Sequence, residues 1–163
     1  INDSGFIPID VESVVEAMNN RFGNKYVFMF KAHHDMLPEN LSNLCINASD
    51  YDDIQELLVA ADAFISDYSS CMWDYCLTNR PGFLYVPDLD QYSKNHALGT
   101  KTEDWPFVLC KSNDELVENI NNFSDERNMA KISHFLDVTG SYENGHSIER
   151  IMKDIFTNIS WRN

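Results

Sequence analysis

The stretch Ala61-Asp62-Ala63-Phe64-Ile65-Ser66-Asp67-Tyr68-Ser69-Ser70-Cys71-Met72-Trp73-Asp74-Tyr75 decides how the rest of the chain is read. Ala63 to Ser66 has the length and apolarity of a buried strand. Asp67 to Ser70 supplies turn chemistry, and the residues that follow return at helical spacing, with Met72, Trp73, Cys76 and Leu77 on one face. A helix that starts there offers unpaired backbone N–H groups carrying partial positive charge. Two hydroxyls add donors, so the turn is a candidate seat for the phosphates of a nucleoside diphosphate. The same residues also read as an ordinary helix cap, with Asp67 tying the turn together.

Outward from this turn, helices and short apolar strands alternate. Val11, Val14, Val15, Met18 and Phe22 follow helical spacing, with Asp10 as N-cap and Gly23-Asn24 as the stop. Tyr26 to Phe30 is a strand-length apolar run, and Leu44-Cys45-Ile46 a shorter one. Asp52 is the expected cap of a helix running through Ile54, Leu57, Leu58 and Ala61. Asn79-Arg80-Pro81-Gly82 breaks the serine helix, and Phe83 to Val86 is another strand. The polar stretch from Asp88 to Asp104 reads as a long surface loop. Phe107 to Cys110 is the last expected strand. Ser112 with Glu115 forms a capping box for a helix to about Phe123, and Ser124 caps the next one. Gly140 to Gly145 reads as a loop, and Ser147 to about Ile159 as an amphipathic closing helix. The pattern predicts an α/β fold: a Rossmann-like open parallel sheet with helices on both faces, in one domain spanning residues 1–163. In such sheets ligands sit outside the carboxyl ends of the strands.

Bulk properties narrow the class. The chain has 163 residues, 44% of them apolar and 12% aromatic, enough for a real core. No apolar run approaches the roughly 20 residues that span a bilayer. Ile1-Asn2-Asp3-Ser4-Gly5 is neither an initiator methionine nor a signal peptide, so the sequence reads as a piece of something longer. Cys45, Cys71, Cys76 and Cys110 form no Cys-x-x-Cys pair and read as buried free thiols of a reducing compartment, with no metal site expected. The net charge of −14 argues against nonspecific nucleic-acid binding. Any bound anion must therefore be held by local donors. Lys31 and Arg80 bracket a stretch without Lys or Arg, which leaves dipoles, hydroxyls and histidines inside it.

Lys31-Ala32-His33-His34 falls at a strand end, as does Asp67-Ser69-Ser70, so these two clusters are the candidate site. Each has a bland counterpart. His33 and His34 also read as a surface loop pair, and Arg80 as a partner of a helix C-terminus. Trp73 and Tyr75 read as core. Ser147, Glu149 and Arg150 open the last helix after Gly145 and offer a second anion contact. His96 and His134 have no evident partners. There is neither a G-x-G-x-x-G fingerprint nor a P-loop.

Together the motifs resemble the CDP-glycerol glycerophosphotransferase family, the teichoic acid and capsule polymerases and primases. The resemblance is carried by Lys31-Ala32-His33, by Asp53, Leu57-Leu58 and Ala61-Asp62, and above all by Ile65-Ser66-Asp67-Tyr68-Ser69-Ser70. It continues in Asp74-Tyr75, Asn79-Arg80-Pro81, Tyr85 and Tyr92, and closes with Gly145-His146-Ser147-Ile148-Glu149-Arg150-Ile151. It implies the C-terminal, donor-binding half of a GT-B fold, inactive alone and completed by an N-terminal domain of the same polypeptide. It implies a CDP-activated donor, a polyol-phosphate polymer or lipid-linked acceptor, no cofactor, and work at the inner face of the cell membrane. On this resemblance His33 is the catalytic residue, contacting the leaving phosphate as general acid. Lys31, Asp67, Ser69, Ser70, Arg80, Ser147 and Arg150 are the substrate-binding residues.

The chain departs from the family pattern in three places. The strand that usually precedes this region is missing. His34 stands where proline usually follows the motif histidine. Asn95-His96 precedes Ala97-Leu98-Gly99 where an Arg-Gly pair is usual. A glycosyltransferase or epimerase half of the same shape, and a flavodoxin-like receiver with Asp67 as phosphoacceptor, are the alternatives from other classes.

Overall fold

The structure, a computed structural model, describes residues 8–23, 25–32 and 44–158. Helix α1 (Val11–Phe22) starts where the Asp10 carboxylate accepts the Ser13 N–H at 3.2 Å. It stops at Gly23, whose φ of 70° is left-handed backbone that glycine adopts without penalty. Strand β1 (Phe28–Phe30) pairs in parallel with β2 (Cys45–Asn47), Phe28 opposite Cys45. Helix α2 (Ile54–Ala60) follows, then β3 (Phe64–Ser66), α3 (Cys71–Cys76), β4 (Gly82–Tyr85) and α4 (Leu89–Asn95). A 3-10 turn at Thr102–Asp104 leads to β5 (Val108–Cys110), α5 (Asn113–Asn121), α6 (Asp125–Thr139) and α7 (Ser147–Asn158). Strands β3, β4 and β5 form a parallel sheet in that order.

The β4 residues are all buried, as expected of a central strand covered on both faces. Successive strand residues point to opposite faces, and the two cores divide accordingly. Leu84 and Val86 join Leu58, Met72, Tyr75, Trp105, Phe107 and Ile132 on one side. Phe83 and Tyr85 join Val14, Met18, Leu116 and Ile120 on the other. The parallel α/β architecture with helices on both faces is therefore as the sequence predicts. Among the described residues the strands form two sheets. A cavity of about 320 Å³ lies between β1 and β3, lined by Tyr26, Phe28 and Met29, by Ala61, Ala63 and Ile65, and by Val14 and Met18 of α1.

Several local expectations are corrected. Asp53, not Asp52, caps α2; its carboxylate accepts the Gln55 N–H at 2.8 Å and the Glu56 N–H at 3.4 Å. Residues 88–104 are not one loop. They hold α4 and the 3-10 turn, because Leu89 is buried and Tyr92, one turn on, finds a ring to stack against. In α3, Met72 and Cys76 are buried but Trp73 and Leu77 are about 40% exposed, so the six-residue helix buries a narrower face than its spacing suggests. His134 does have a partner, Asp104, at 2.8 Å. Half of the expected capping box at Ser112 forms: Ser112 Oγ accepts the Glu115 N–H, but the Glu115 carboxylate accepts from the Lys111 N–H rather than from that of Ser112. Helix α7 has the expected apolar stripe, but Ile148, Ile151, Met152, Ile155 and Phe156 are all exposed.

Burial fixes the alkaline limit of this fold. It pushes Cys76 up to about 11, Cys110 to about 12 and Tyr75 to about 12, from ordinary values of 9.0, 9.0 and 10.0. The folded state thus holds these protons more tightly than the unfolded chain does. The stability they contribute is complete below about pH 9 and is lost as pH rises toward about 12. Thermal melts are expected to show a melting temperature that is level from pH 7 to 8.5 and falls from pH 9 to 11. A level profile through pH 11 contradicts the burial of these groups.

Candidate diphosphate-binding site

The turn after β3 is held by its own side chains. The Asp67 carboxylate accepts the Ser69 N–H at 3.2 Å, and Ser69 Oγ accepts the Cys71 N–H at 3.3 Å. The Met72 N–H donates to Ser69 O and the Trp73 N–H to Ser70 O. The expected row of unpaired N–H groups at the start of α3 is therefore largely consumed. A short helix tightens its first turn this way, with i→i+3 bonds satisfying its orphan donors. Ser70 has right-handed helical backbone and its side chain makes no cap bond. What faces outward is chemistry of hydroxyls: the Ser69 hydroxyl hydrogen, not used in accepting from Cys71, and the exposed Ser70 side chain.

Tyr68, between Asp67 and Ser69, turns the other way. Its ring stacks on Tyr92 of α4 with centroids 3.6 Å apart and planes within 7°, and its hydroxyl donates to Asp88 Oδ1 at 2.7 Å. Burial, then the Asp88 carboxylate, raise its pKa well above the ordinary tyrosine value. Tyr68 thereby fastens the serine turn to the start and middle of α4. Sequence reading missed this link because its partners lie about one helix and one strand away along the chain. The local trace was the pairing of Leu89 with Tyr92 one turn apart.

The two expected cations sit elsewhere in the bonding scheme. Lys31 donates to Ser49 O at 3.2 Å and to Tyr51 O at 2.5 Å, lacing the end of β1 to the loop after β2. The Ala32 N–H joins this lacing through Ser49 Oγ. Arg80 Nη1 donates to Val59 O at 2.6 Å and Ala61 O at 2.7 Å. It covers the C-terminus of α2, the favourable place for a cation, so its bland reading is the one that the geometry supports. Ser147 and Arg150 close their own loop. Ser147 Oγ donates to Glu143 Oε2 at 2.6 Å, and Arg150 Nη2 donates to Tyr142 O and Ser147 Oγ at 2.8 Å. No bond among the described residues joins them to Asp67–Ser70. His33, expected to be catalytic, and His34 lie outside the described residues.

Comparison with known proteins gives this geometry its context. The model of the CDP-glycerol:poly(glycerophosphate) glycerophosphotransferase family matches residues 3–157. A teichoic acid poly(glycerol phosphate) polymerase of Bacillus spizizenii is 27% identical over 150 residues, covering 86% of this chain and 37% of that protein. The teichoic acid ribitol-phosphate polymerase TarK of Staphylococcus aureus is 31% identical over 112 residues, covering 68% of this chain and 21% of that protein. The solved structure of the wall teichoic acid polymerase TagF superposes with a TM-score of 0.68 at 26% identity, over 98% of this chain and 43% of that one. A variant of that polymerase soaked with CDPG gives the same TM-score and identity, over 96% and 41%. The chain thus spans well under half the length of these relatives. With its family model matched over nearly its whole length, the chain belongs to the CDP-glycerol:poly(glycerophosphate) glycerophosphotransferase family.

Proposed function

We propose that this chain is the donor-binding domain of a transferase that moves glycerol phosphate, or a related polyol phosphate, from a CDP-activated donor to a hydroxyl of a growing teichoic acid or capsule polymer. The observation that carries this reading is the family match over residues 3–157. Its relatives include both glycerol-phosphate and ribitol-phosphate polymerases, so the donor alcohol is a property to be measured. In this proposal the full protein works at the inner face of the cell membrane. Among the described residues no helix is long and apolar enough to cross one.

In the proposed reaction an acceptor hydroxyl oxygen attacks the β-phosphorus of the donor. The bond from that phosphorus to the bridging oxygen breaks, and CMP leaves with the electron pair. The protein's task is to stabilise charge on the transferred and leaving phosphates. Ser69 and Ser70 offer the diphosphate hydroxyl donors that the turn has not spent on itself. Asp67 orients the turn through the Ser69 N–H. Lys31 holds the neighbouring strand end, and one N–H of its ammonium remains beyond the two carbonyls it bonds. His33 is the proposed general acid at the leaving phosphate, and Arg80 takes the structural role. Ser147 and Arg150 remain candidates for a second anion contact only if their loop opens.

The remaining machinery, including the base for the acceptor hydroxyl, belongs in this scheme to another domain of the same polypeptide.

Titration of the chain with CDP-glycerol, CDP-ribitol, UDP-glucose and GDP-mannose tests the donor class. A CDP-linked polyol is expected to raise the melting temperature, with about 2.7 kcal/mol of stabilisation at 100 times its dissociation constant. Ser69→Ala is expected to weaken that ligand about tenfold, the loss of a hydrogen bond to a charged group. Equal affinity for all four nucleotides, or a Ser69→Ala variant that binds like the parent, contradicts the site. Turnover by this chain alone contradicts the division of labour.

A further inference from the structure

We propose that His96 is a phosphate-contacting residue of the donor site, presented to the ligand by the stacked rings of Tyr68 and Tyr92. The inference rests on the donor-site reading above and adds to it a residue at which the chain departs from the family pattern.

The His96 ring stacks on Tyr92 with centroids 4.2 Å apart and planes within 18°. Tyr68 already occupies a face of the same Tyr92 ring at 3.6 Å. Two rings cannot share one face at these distances, so the three form a ladder with Tyr92 in the middle. One end of the ladder is rooted in the serine turn through the Tyr68 backbone, and its hydroxyl is tied to Asp88. The other end is His96, which is exposed. The ladder starts in the turn itself and crosses to α4, which follows β4. Strand β4 neighbours β3 in the sheet, so the ladder stands at the carboxyl edge where the turn sits.

The ring's rotation is also set. Nδ1 lies 3.3 Å from Tyr92 O, and among the described residues Nε2 makes no hydrogen bond. A carbonyl on one ring nitrogen is the usual way of fixing which nitrogen meets a ligand. His96 is the C-cap of α4. With Nδ1 turned to Tyr92 O, Nε2 is the ring nitrogen left to meet a phosphate.

Two contrasts single this histidine out. His134 and His146 each face a carboxylate, Asp104 and Glu149 respectively. Among the described residues His96 makes no ion pair. Of the two cations expected at the site, Arg80 is committed to two carbonyls at the end of α2, and Lys31 keeps one N–H beyond the two carbonyls it bonds. A diphosphate seated on serine hydroxyls gains a further contact from His96, whose ring is already in place.

The test uses the chain itself with CDP-glycerol, measured by calorimetry, beside His96→Ala, His96→Phe and Ser69→Ala. Phenylalanine keeps an aromatic ring for the stack and removes the nitrogens. Both His96 variants are expected to bind about tenfold more weakly, the loss of a charge-assisted hydrogen bond. The imidazole nitrogen spectrum of the parent is expected to show the His96 Nε2 resonance moving as CDP-glycerol is added. A His96→Phe variant that binds like the parent reduces the residue to a stacking partner and overturns the proposal. So does a His96 resonance that stays still while Ser69→Ala weakens binding, an outcome that leaves the donor site standing. A parent chain that binds no CDP-glycerol removes both.

Discussion

Tyr75→Ala is expected to destabilise the protein by about 3–5 kcal/mol, the range for deleting a buried aromatic side chain. Tyr75 has no exposed surface. Its ring stacks on Phe64 of β3 at 4.8 Å and meets Phe107 at 6.1 Å, so it joins α3 to the sheet beneath the serine turn. Neighbours on three elements cannot all collapse into the void, which places the cost well above simple transfer of the ring to water. The hydroxyl is the smaller part. It donates to Ala61 O at 3.2 Å, and that carbonyl also accepts from Arg80. Tyr75→Phe leaves no orphaned acceptor and is expected to cost about 1 kcal/mol. Urea denaturation of both variants measures this directly. A Tyr75→Ala loss below that of Tyr75→Phe contradicts the packing described. Because a native protein has only about 5–15 kcal/mol in reserve, the alanine variant is also expected to lose donor binding at 37 °C while retaining it in the cold.

The second large effect is Gly82→Ala. A Cβ at residue 82 would lie 2.4 Å from Cδ1 and Cε1 of Phe107. Phe107 is itself wholly buried against Phe64 and Tyr75, so its ring has nowhere to swing. Strand β4 must shift instead, and Gly82 is the residue paired with Phe64 in β3. Overpacking of this kind costs about 1–3 kcal/mol. A shift of β4 against β3 also moves the turn at the end of β3, so a weaker affinity for the donor is expected alongside. Phe107→Leu in the same chain should relieve part of the clash. The double variant is then more stable than the sum of the two single losses allows, which a double-mutant cycle reads. Strict additivity would show that Gly82 and Phe107 do not meet.

These two residues also show what a sequence can and cannot carry. Tyr75 reads as core because it is a large aromatic in a mostly apolar helix, and it is. Gly82 reads as a turn breaker beside Pro81; its deeper reason is the Phe107 ring, 25 residues on, which no local pattern encodes. Arg80 is the same case. Its placement on the α2 carbonyls depends on α2 and α3 packing side by side. Trp73 and Leu77 followed helical spacing onto an apolar face that the short α3 does not fully bury.

The sequence by itself determined the alternation of short apolar strands with helices, most helix caps, the serine turn at a strand end and the membership of a family. These are local matters: side-chain period, capping oxygens and glycine at left-handed positions act within a few residues. Only the tertiary structure decided that the turn spends its N–H groups on itself, that Lys31 and Arg80 are anchored to carbonyls, and that residues 88–104 fold back to build an aromatic ladder ending in His96. Each of those outcomes depends on which groups meet across the sheet. A donor takes the acceptor that packing brings within about 3 Å, and packing is a property of the whole chain.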